Sequence, residues 1–408
     1  MRQRESITVQ TKYRPRSGPP RKSLTPAPAG HKNWAWKPVA ETGFFPRFRT
    51  MTHFLQDILR QPEELQRALD YLSGAGQSAL QGAAATVRSA RHVYLTGIGS
   101  SWHAALSVAP LFYQAARPVY LLDASELLQF ATLPPEAVVI AISRSGRSLE
   151  IVNLLAKARA RRAIVIGITN SSDGTLAREA QIAIVVPTKV DHAISVNTYS
   201  TLAAAAGALA SATSGSFDAN FAASLLASIA ETEPRIADWR KQIADSAWFT
   251  PGKFTYFLGR GGSMGSCHEA RLLWEEGAKS PATAMGTGSF RHGPQEIVNG
   301  DARFGLWIDA QRMREQDLSV ARDLRRLGAS LLLIGHDLPE RSAGLVFQLP
   351  AVPPDWQFLI DVIPAQLAAE YLARLQGVDC DSFRLCSYIV DGEFGLMNEE
   401  VATRTKGS

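Results

Sequence analysis

The sequence predicts an α/β protein of two similar units in tandem, each a five-stranded parallel sheet flanked by helices, doubly wound in the flavodoxin-like manner. Three observations carry this expectation. Short runs rich in Val, Ile and Leu alternate with longer amphipathic stretches, and the alternation occurs twice. Glycine- and serine-rich turns follow the runs, where the ligand-binding loops of such sheets lie. The 408 residues, 46% hydrophobic and 20% charged, provide for two or three compact units and exclude a largely disordered chain.

Taken in order, residues 1–50 hold eleven Lys and Arg against Glu5 and Glu41, a net +9, so a chain of net +5 leaves −4 for residues 51–408. Seven prolines keep this basic leader from regular structure. It reads as a disordered tail or as an extension ahead of a start at Met51, and secondarily as a basic arm for nucleic acid or anionic lipid. The mildly acidic remainder gives no reason to expect nucleic acid as the main partner. From Met51 onward, Phe54, Leu55, Ile58, Leu59, Leu65, Leu69 and Leu72 recur mostly at helical spacing, so 51–90 is a helical lead-in. The runs 92–98, 119–123, 137–143, 162–169 and 182–186 follow as strands buried on both faces. Amphipathic helices join them, as in the stretch carrying Leu149, Ile151, Val152, Leu154 and Leu155. An alanine-rich helical stretch, 202–248, bridges to a second series at 253–259, 282–286, 303–309, 330–336 and 345–349. The expected units are therefore 91–245, with the connecting helices, and 246–408, with a C-terminal segment.

Several classes fall away. The bland stretch 198–213 is shorter than the ~20 apolar residues a bilayer crossing takes, and no apolar core follows the basic N-terminus as in a secretory signal. A cytoplasmic protein without a membrane partner is the expectation. Cys267, Cys380 and Cys386 are too few and too scattered for a disulfide framework or a cysteine-rich zinc site. Neither metal nor cofactor is expected.

The informative residues stand just after the strands. Gly97-Ile98-Gly99-Ser100-Ser101 follows the first run, and Ser143-Arg144-Ser145-Gly146-Arg147-Ser148 follows the third and leads into a helix. Hydroxyls and free N–H groups at a helix N-terminus form an anion site. Each charge-assisted hydrogen bond there contributes ~1.5–3 kcal/mol, so four or five donors hold a phosphate without a lysine clamp. Taken alone, either loop is equally well explained by turn and capping chemistry; two that converge on one sheet edge favour the anion.

The second series opens with Leu258-Gly259-Arg260-Gly261-Gly262-Ser263 and a helix over 265–279. On it Arg271 and Glu275 are four apart and pair on the surface, whereas Glu276 falls on the side of Leu272 and Leu273. A carboxylate on an apolar face pairs with a cation or has a raised pKa, which suits a general acid or base; a second solvated glutamate is the competing account. His292, within Phe290-Arg291-His292-Gly293-Pro294, is held at a turn and titrates near neutrality. A lone histidine is more often structural or exposed.

As an ordered set these residues resemble the sugar isomerase (SIS) domain family of phosphosugar-binding proteins. More narrowly, they resemble the isomerising half of glutamine–fructose-6-phosphate aminotransferase and related amino-sugar-phosphate deaminases. The resemblance runs over roughly 51–396. It also includes Ala124-Ser125-Glu126, Ile363-Pro364-Ala365-Gln366-Leu367 and Gly377-Val378-Asp379-Cys380-Asp381. It implies two tandem SIS domains and a hexose or hexosamine 6-phosphate ligand. Ser100, Ser101, Ser143, Arg144, Ser145 and Ser148 would then hold the substrate phosphate and sugar. Glu276 would move a proton between C1 and C2, and His292 would open the sugar ring from the neighbouring subunit of a homodimer with shared sites.

Departures narrow what is implied. The chain begins Met-Arg-Gln-Arg, without the synthase's nucleophilic cysteine, so glutamine hydrolysis is not expected. Two lysines of the synthase align with Leu273 and Tyr388, and its Ser-Thr-Lys loop with Val196-Asn197-Thr198. An isomerase or deaminase of the fructose 6-phosphate or glucosamine 6-phosphate type is the expectation, with free ammonia if any. A non-catalytic sugar-phosphate regulator is the alternative; the presence of both Glu276 and His292 weighs against it. A dinucleotide-binding dehydrogenase would use Gly259-x-Gly261-x-x-x-Gly265 and Asp123, but these lie in different halves and leave the serine loop without a role.

Overall fold

A strand forms in each of the ten apolar runs. The computed structural model describes residues 51–249, 253–392 and 395–396; the expected basic leader, 1–50, lies outside them. Strands β1 (Val93–Thr96), β2 (Tyr120–Leu121), β3 (Val138–Ile142), β4 (Ile164–Thr169) and β5 (Ile182–Val185) make one parallel sheet in the order β2-β1-β3-β4-β5. Strands β6 (Phe254–Gly259), β7 (Ala282–Gly286), β8 (Ala302–Trp307), β9 (Ser330–His336) and β10 (Leu345–Leu349) make a second in the order β10-β9-β8-β6-β7. Numbered within its own sheet, each reads 2-1-3-4-5, the flavodoxin-like order. The edge strand β2 is much shorter than its run, because Tyr120 and Leu121 alone pair with β1.

Helices α1 (His53–Ser73) and α2 (Gln77–Ser89) precede the first sheet, and α3 (Ser100–Gln114), α4 (Ala124–Gln129), α5 (Leu149–Ala160) and α6 (Thr175–Glu179) connect its strands. The bridge expected over 202–248 is three helices: α7 (Asn197–Ser214), α8 (Ala219–Thr232) and α9 (Arg235–Ala244). Asp218 restarts the helix by accepting the Phe221 N–H at 2.8 Å, and Pro234 stands at the N-cap of α9. Helices α10 (Ser263–Glu276), α11 (Thr287–Phe290) and α12 (Arg314–Arg326) belong to the second sheet, and α13 (Ile363–Leu375) follows it.

Side chains alternate across each strand, so each sheet buries two faces. The outer faces have separate small cores, around Val139 and Val165 in the first sheet and Phe304 and Leu331 in the second. The inner faces, with Ile140 and Ile168 on one side and Phe257 and Ile334 on the other, belong to a single core with α7 inside it. Helix α7 is buried from Asn197 to Thr213. An alanine-rich helix that is apolar all round belongs inside, and its small side chains let α1, α2 and α3 pack against it.

Helices α3 and α10, the first connecting helices of their sheets, cross at Gly265. A Cβ there would lie 2.0 Å from Ser107 Oγ and 2.3 Å from the His103 carbonyl oxygen. Only hydrogen fits. That contact brings a helix of the second sheet to the loops of the first.

Candidate active site

Topology places the site. Helices that follow the first and third strands leave opposite faces of such a sheet, and a crevice opens beyond the carboxyl ends of those strands. In the first sheet it is a pocket of about 270 Å³, lined by Ser100 and Ser101 after β1 and by Ser143, Arg144, Ser145 and Ser148 after β3. Glu276, at the end of α10, lines it as well. The crossing at Gly265 thus joins residues separated by more than a hundred positions.

The loop after β3 is shaped to donate hydrogen bonds. Gly99 (φ 57°) and Gly146 (φ 62°) adopt left-handed backbone, which glycine takes without the Cβ penalty. The hydroxyl oxygen of Ser143 accepts the Gly146 N–H at 3.1 Å, and that of Ser145 accepts the Arg147 N–H at 3.1 Å. Each hydroxyl is oriented by this bond and keeps its own proton for a ligand. Ser148 is the N-cap residue of α5 and makes no capping bond with its side chain. The positive ends of the α3 and α5 helix dipoles face the same crevice and favour an anion there.

Arg144 is committed differently from a simple phosphate ligand. Its guanidinium donates to Ser195 Oγ at 3.0 Å and to the Tyr388 carbonyl at 2.7 Å, and it lies 4.0 Å over the Tyr388 ring. The Leu149 N–H donates to the Val390 carbonyl at 3.1 Å. Together these bonds hold the chain after α13 against the pocket, where Phe383 and the stretch from Cys386 to Val390 line it.

Glu276 faces the pocket half-buried, while Glu275 beside it pairs with Arg271 at 3.0 Å. Burial, and then the charge of Glu269, push the Glu276 carboxyl up to about 7, against the opposite pull of Arg144 and Lys279. A carboxyl in that range exchanges protons effectively at neutral pH. Leu273 is fully buried in the core.

His292 stands apart from this group. It is exposed, outside the pocket, on the turn after α11, where its N–H donates to the Ser289 carbonyl at 3.1 Å. The turn adjoins β7, an edge strand of the second sheet whose residues are all half-buried.

Two other segments singled out in the sequence serve as helix caps. Val196, Asn197 and Thr198 are buried and point no side chain into the pocket; the Asp191 carboxylate accepts their three N–H groups at 2.9–3.0 Å and so caps α7. The serine that does line the pocket is Ser195, with Ala193 beside it. Sequence reasoning missed both, although a serine just ahead of an alanine-rich helix was the available signal. Asp123 is the N-cap of α4, accepting the N–H groups of Ser125 at 2.9 Å and Glu126 at 3.1 Å. That capping role, and the helix contact at Gly265, account for the residues a dinucleotide site would have used.

The SIS domain family model matches residues 86–212. The isomerising glutamine–fructose-6-phosphate aminotransferase of Pyrobaculum aerophilum is 26% identical over 361 residues, covering 85% of this chain and 58% of that protein. That of Bacillus subtilis is 26% identical over 362 residues, covering 84% and 58%. The chain therefore spans less than two thirds of the length of these curated relatives. Among solved structures, the C-terminal domain of glucosamine-fructose-6-phosphate aminotransferase from Francisella tularensis superposes with a TM-score of 0.72 at 20% identity, over 81% of this chain and 98% of that one. Glucosamine-6-phosphate deaminase from Thermotoga maritima gives 0.70 at 20% identity, over 83% and 99%. Tagatose-6-phosphate ketose/aldose isomerase from Escherichia coli gives 0.70 at 22%, over 82% and 95%. At such identities the structural likeness speaks for the fold.

Proposed function

We propose, for a chain whose residues 86–212 match the SIS domain family model, that it is a phosphosugar isomerase or amino-sugar-phosphate deaminase acting on a fructose 6-phosphate or glucosamine 6-phosphate type of substrate. One observation carries the reading: a carboxyl poised near 7 stands in the same pocket as two serine loops at helix N-termini. The loops hold the phosphate and the sugar. The Glu276 carboxylate takes a proton from one of the two carbons C1 and C2 and returns it to the other through an enediol-like intermediate. No lysine lines the pocket among the described residues, with Leu273 and Tyr388 at two positions where the resembling synthase carries one. Isomerisation, or loss of ammonia from an amino sugar, therefore fits better than transfer through a lysine Schiff base.

His292 enters from a second copy of the chain in this reading, because it is exposed near an open sheet edge and lies outside its own pocket. The active species is then a homodimer with a two-fold interface. Mixing Glu276→Gln with His292→Ala protein restores partial activity if each pocket draws on two chains; no recovery after confirmed subunit exchange refutes the shared site.

The direct test is incubation with fructose 6-phosphate in deuterated water, with and without ammonium, and with glucosamine 6-phosphate, following isotope uptake, product and ammonia. Tight binding without exchange or product would turn the reading to a sugar-phosphate-binding regulator.

A further inference from the structure

Against the pocket lies a buried cluster built around Glu269. Glu269 is fully buried on α10, seven residues before Glu276 and so on nearly the same helix face. Its Oε1 accepts the Ser100 hydroxyl at 3.0 Å, and its Oε2 lies 2.7 Å from Nδ1 of His103, itself 3% exposed. Ser100 and His103 both stand on the first turn of α3, which meets α10 at Gly265.

The direction of these bonds matters. A carboxylate only accepts, so Ser100 and His103 both aim a proton at Glu269. At 2.7 Å the imidazole bond falls in the charge-assisted range and fixes the carboxylate in place. Ser100 has one proton, and it points inward. Toward the pocket it presents lone pairs only. Ser143 and Ser145 are the reverse: each accepts a backbone N–H and keeps its proton free. An anionic phosphate oxygen, an acceptor itself, suits the second kind of serine and is repelled by the first.

We propose that Glu269 and His103 are positioning residues that make Ser100 a hydrogen-bond acceptor, so that Ser100 recognises a hydroxyl or amino hydrogen on the sugar rather than the phosphate. The inference rests on the function proposed above and assigns Ser100 a place apart from the other serines of the pocket. Replacing Glu269 by glutamine nearly preserves shape but supplies an amide N–H that can donate to Ser100. The serine proton is then released toward the pocket.

Calorimetric titration of the full chain with fructose 6-phosphate and with inorganic phosphate tests this. Ser100→Ala should weaken fructose 6-phosphate about 5- to 15-fold, the worth of one hydrogen bond, and leave inorganic phosphate within about twofold. Glu269→Gln should weaken the sugar phosphate in the same way while inorganic phosphate binds unchanged or more tightly. Unchanged phosphate affinity also reports intact loops. Ser100→Ala, which disturbs no packing of a large side chain, is decisive should Glu269→Gln fail to fold. Equal weakening of both ligands by Ser100→Ala, or a folded Glu269→Gln protein with the parent's preference, overturns the inference alone. A parent that binds inorganic phosphate as well as fructose 6-phosphate overturns the proposed function and the inference with it.

Discussion

Two clefts of similar size, about 270 Å³ in the first sheet and about 280 Å³ in the second, lie at the loops that follow their strands, and their chemistry is opposite. In the first, the third strand runs into Ser143-Arg144-Ser145-Gly146-Arg147-Ser148, whose hydroxyls retain free protons. In the second, the equivalent stretch is Asp309-Ala310-Gln311-Arg312-Met313, and the Asp309 carboxylate accepts the Met313 N–H at 2.7 Å. The protein's own carboxylate thus sits at the start of α12, where an anion would bind. Both arginines lining that cleft are answered by aspartates, Arg260 by Asp317 at 2.6 Å and Arg312 by Asp355 at 3.0 Å. Repeating the topology has not repeated the site, because the chemistry resides in a few loop residues grafted on the scaffold. What the second unit contributes to the first pocket is α10, which carries Glu276, and the chain after α13.

The comparison can be broken most severely at Glu276. Glu276→Gln should leave sugar-phosphate binding intact while hydrogen exchange at the sugar carbon falls ~10²–10⁴-fold. Because the base form is the ionised one and the carboxyl sits at about 7, exchange by the parent should decline as the pH drops below about 7. A flat profile between pH 5 and 8 would assign the proton transfer elsewhere.

Next in size is the anion loop. Ser143→Ala combined with Ser145→Ala should cost roughly 2–4 kcal/mol of sugar-phosphate affinity. Asp309→Ala in the second cleft should leave that affinity unchanged, by the same titration; comparable losses would mean that both clefts bind ligand. Gly265→Ala acts on the joint between the units. A methyl forced against the His103 carbonyl should destabilise the fold by ~1–3 kcal/mol, read from the urea midpoint, and should slow the exchange reaction by displacing Glu276. Wild-type stability in that variant would show that the crossing is not close-packed. The smallest effect belongs to Glu275→Gln, which removes a partly exposed pair with Arg271 worth ~0–1 kcal/mol and should leave exchange within about twofold of the parent.

The strands were legible because parallel strands covered on both faces need unbroken apolar runs, and Val138–Ile142 and Ser330–His336 fall where those runs do. The serine loops were legible for a related reason, since each abuts the strand it follows. Ser195 was not, because its pocket is assembled from a different strand's loop, and the neighbouring Val196-Asn197-Thr198 proved to be a helix cap. Nor was the closure by the C-terminal chain: the Arg144–Tyr388 contact spans 244 residues and depends on a carbonyl that any residue type supplies.

Local pattern by itself determined the α/β class, the two series of strands and the placing of serine-rich turns just after the first and third strands. These properties follow from periodicity and from groups adjacent in the chain, which act before any long-range contact forms. Only the tertiary structure decided that the two units share one inner core around α7, that Gly265 lets α10 approach α3, and that Glu269 meets both Ser100 and His103. Such contacts are chosen by close packing between elements far apart in sequence. A missing Cβ at one helical glycine leaves no mark in the hydrophobic pattern, yet it sets which buried side chains can touch.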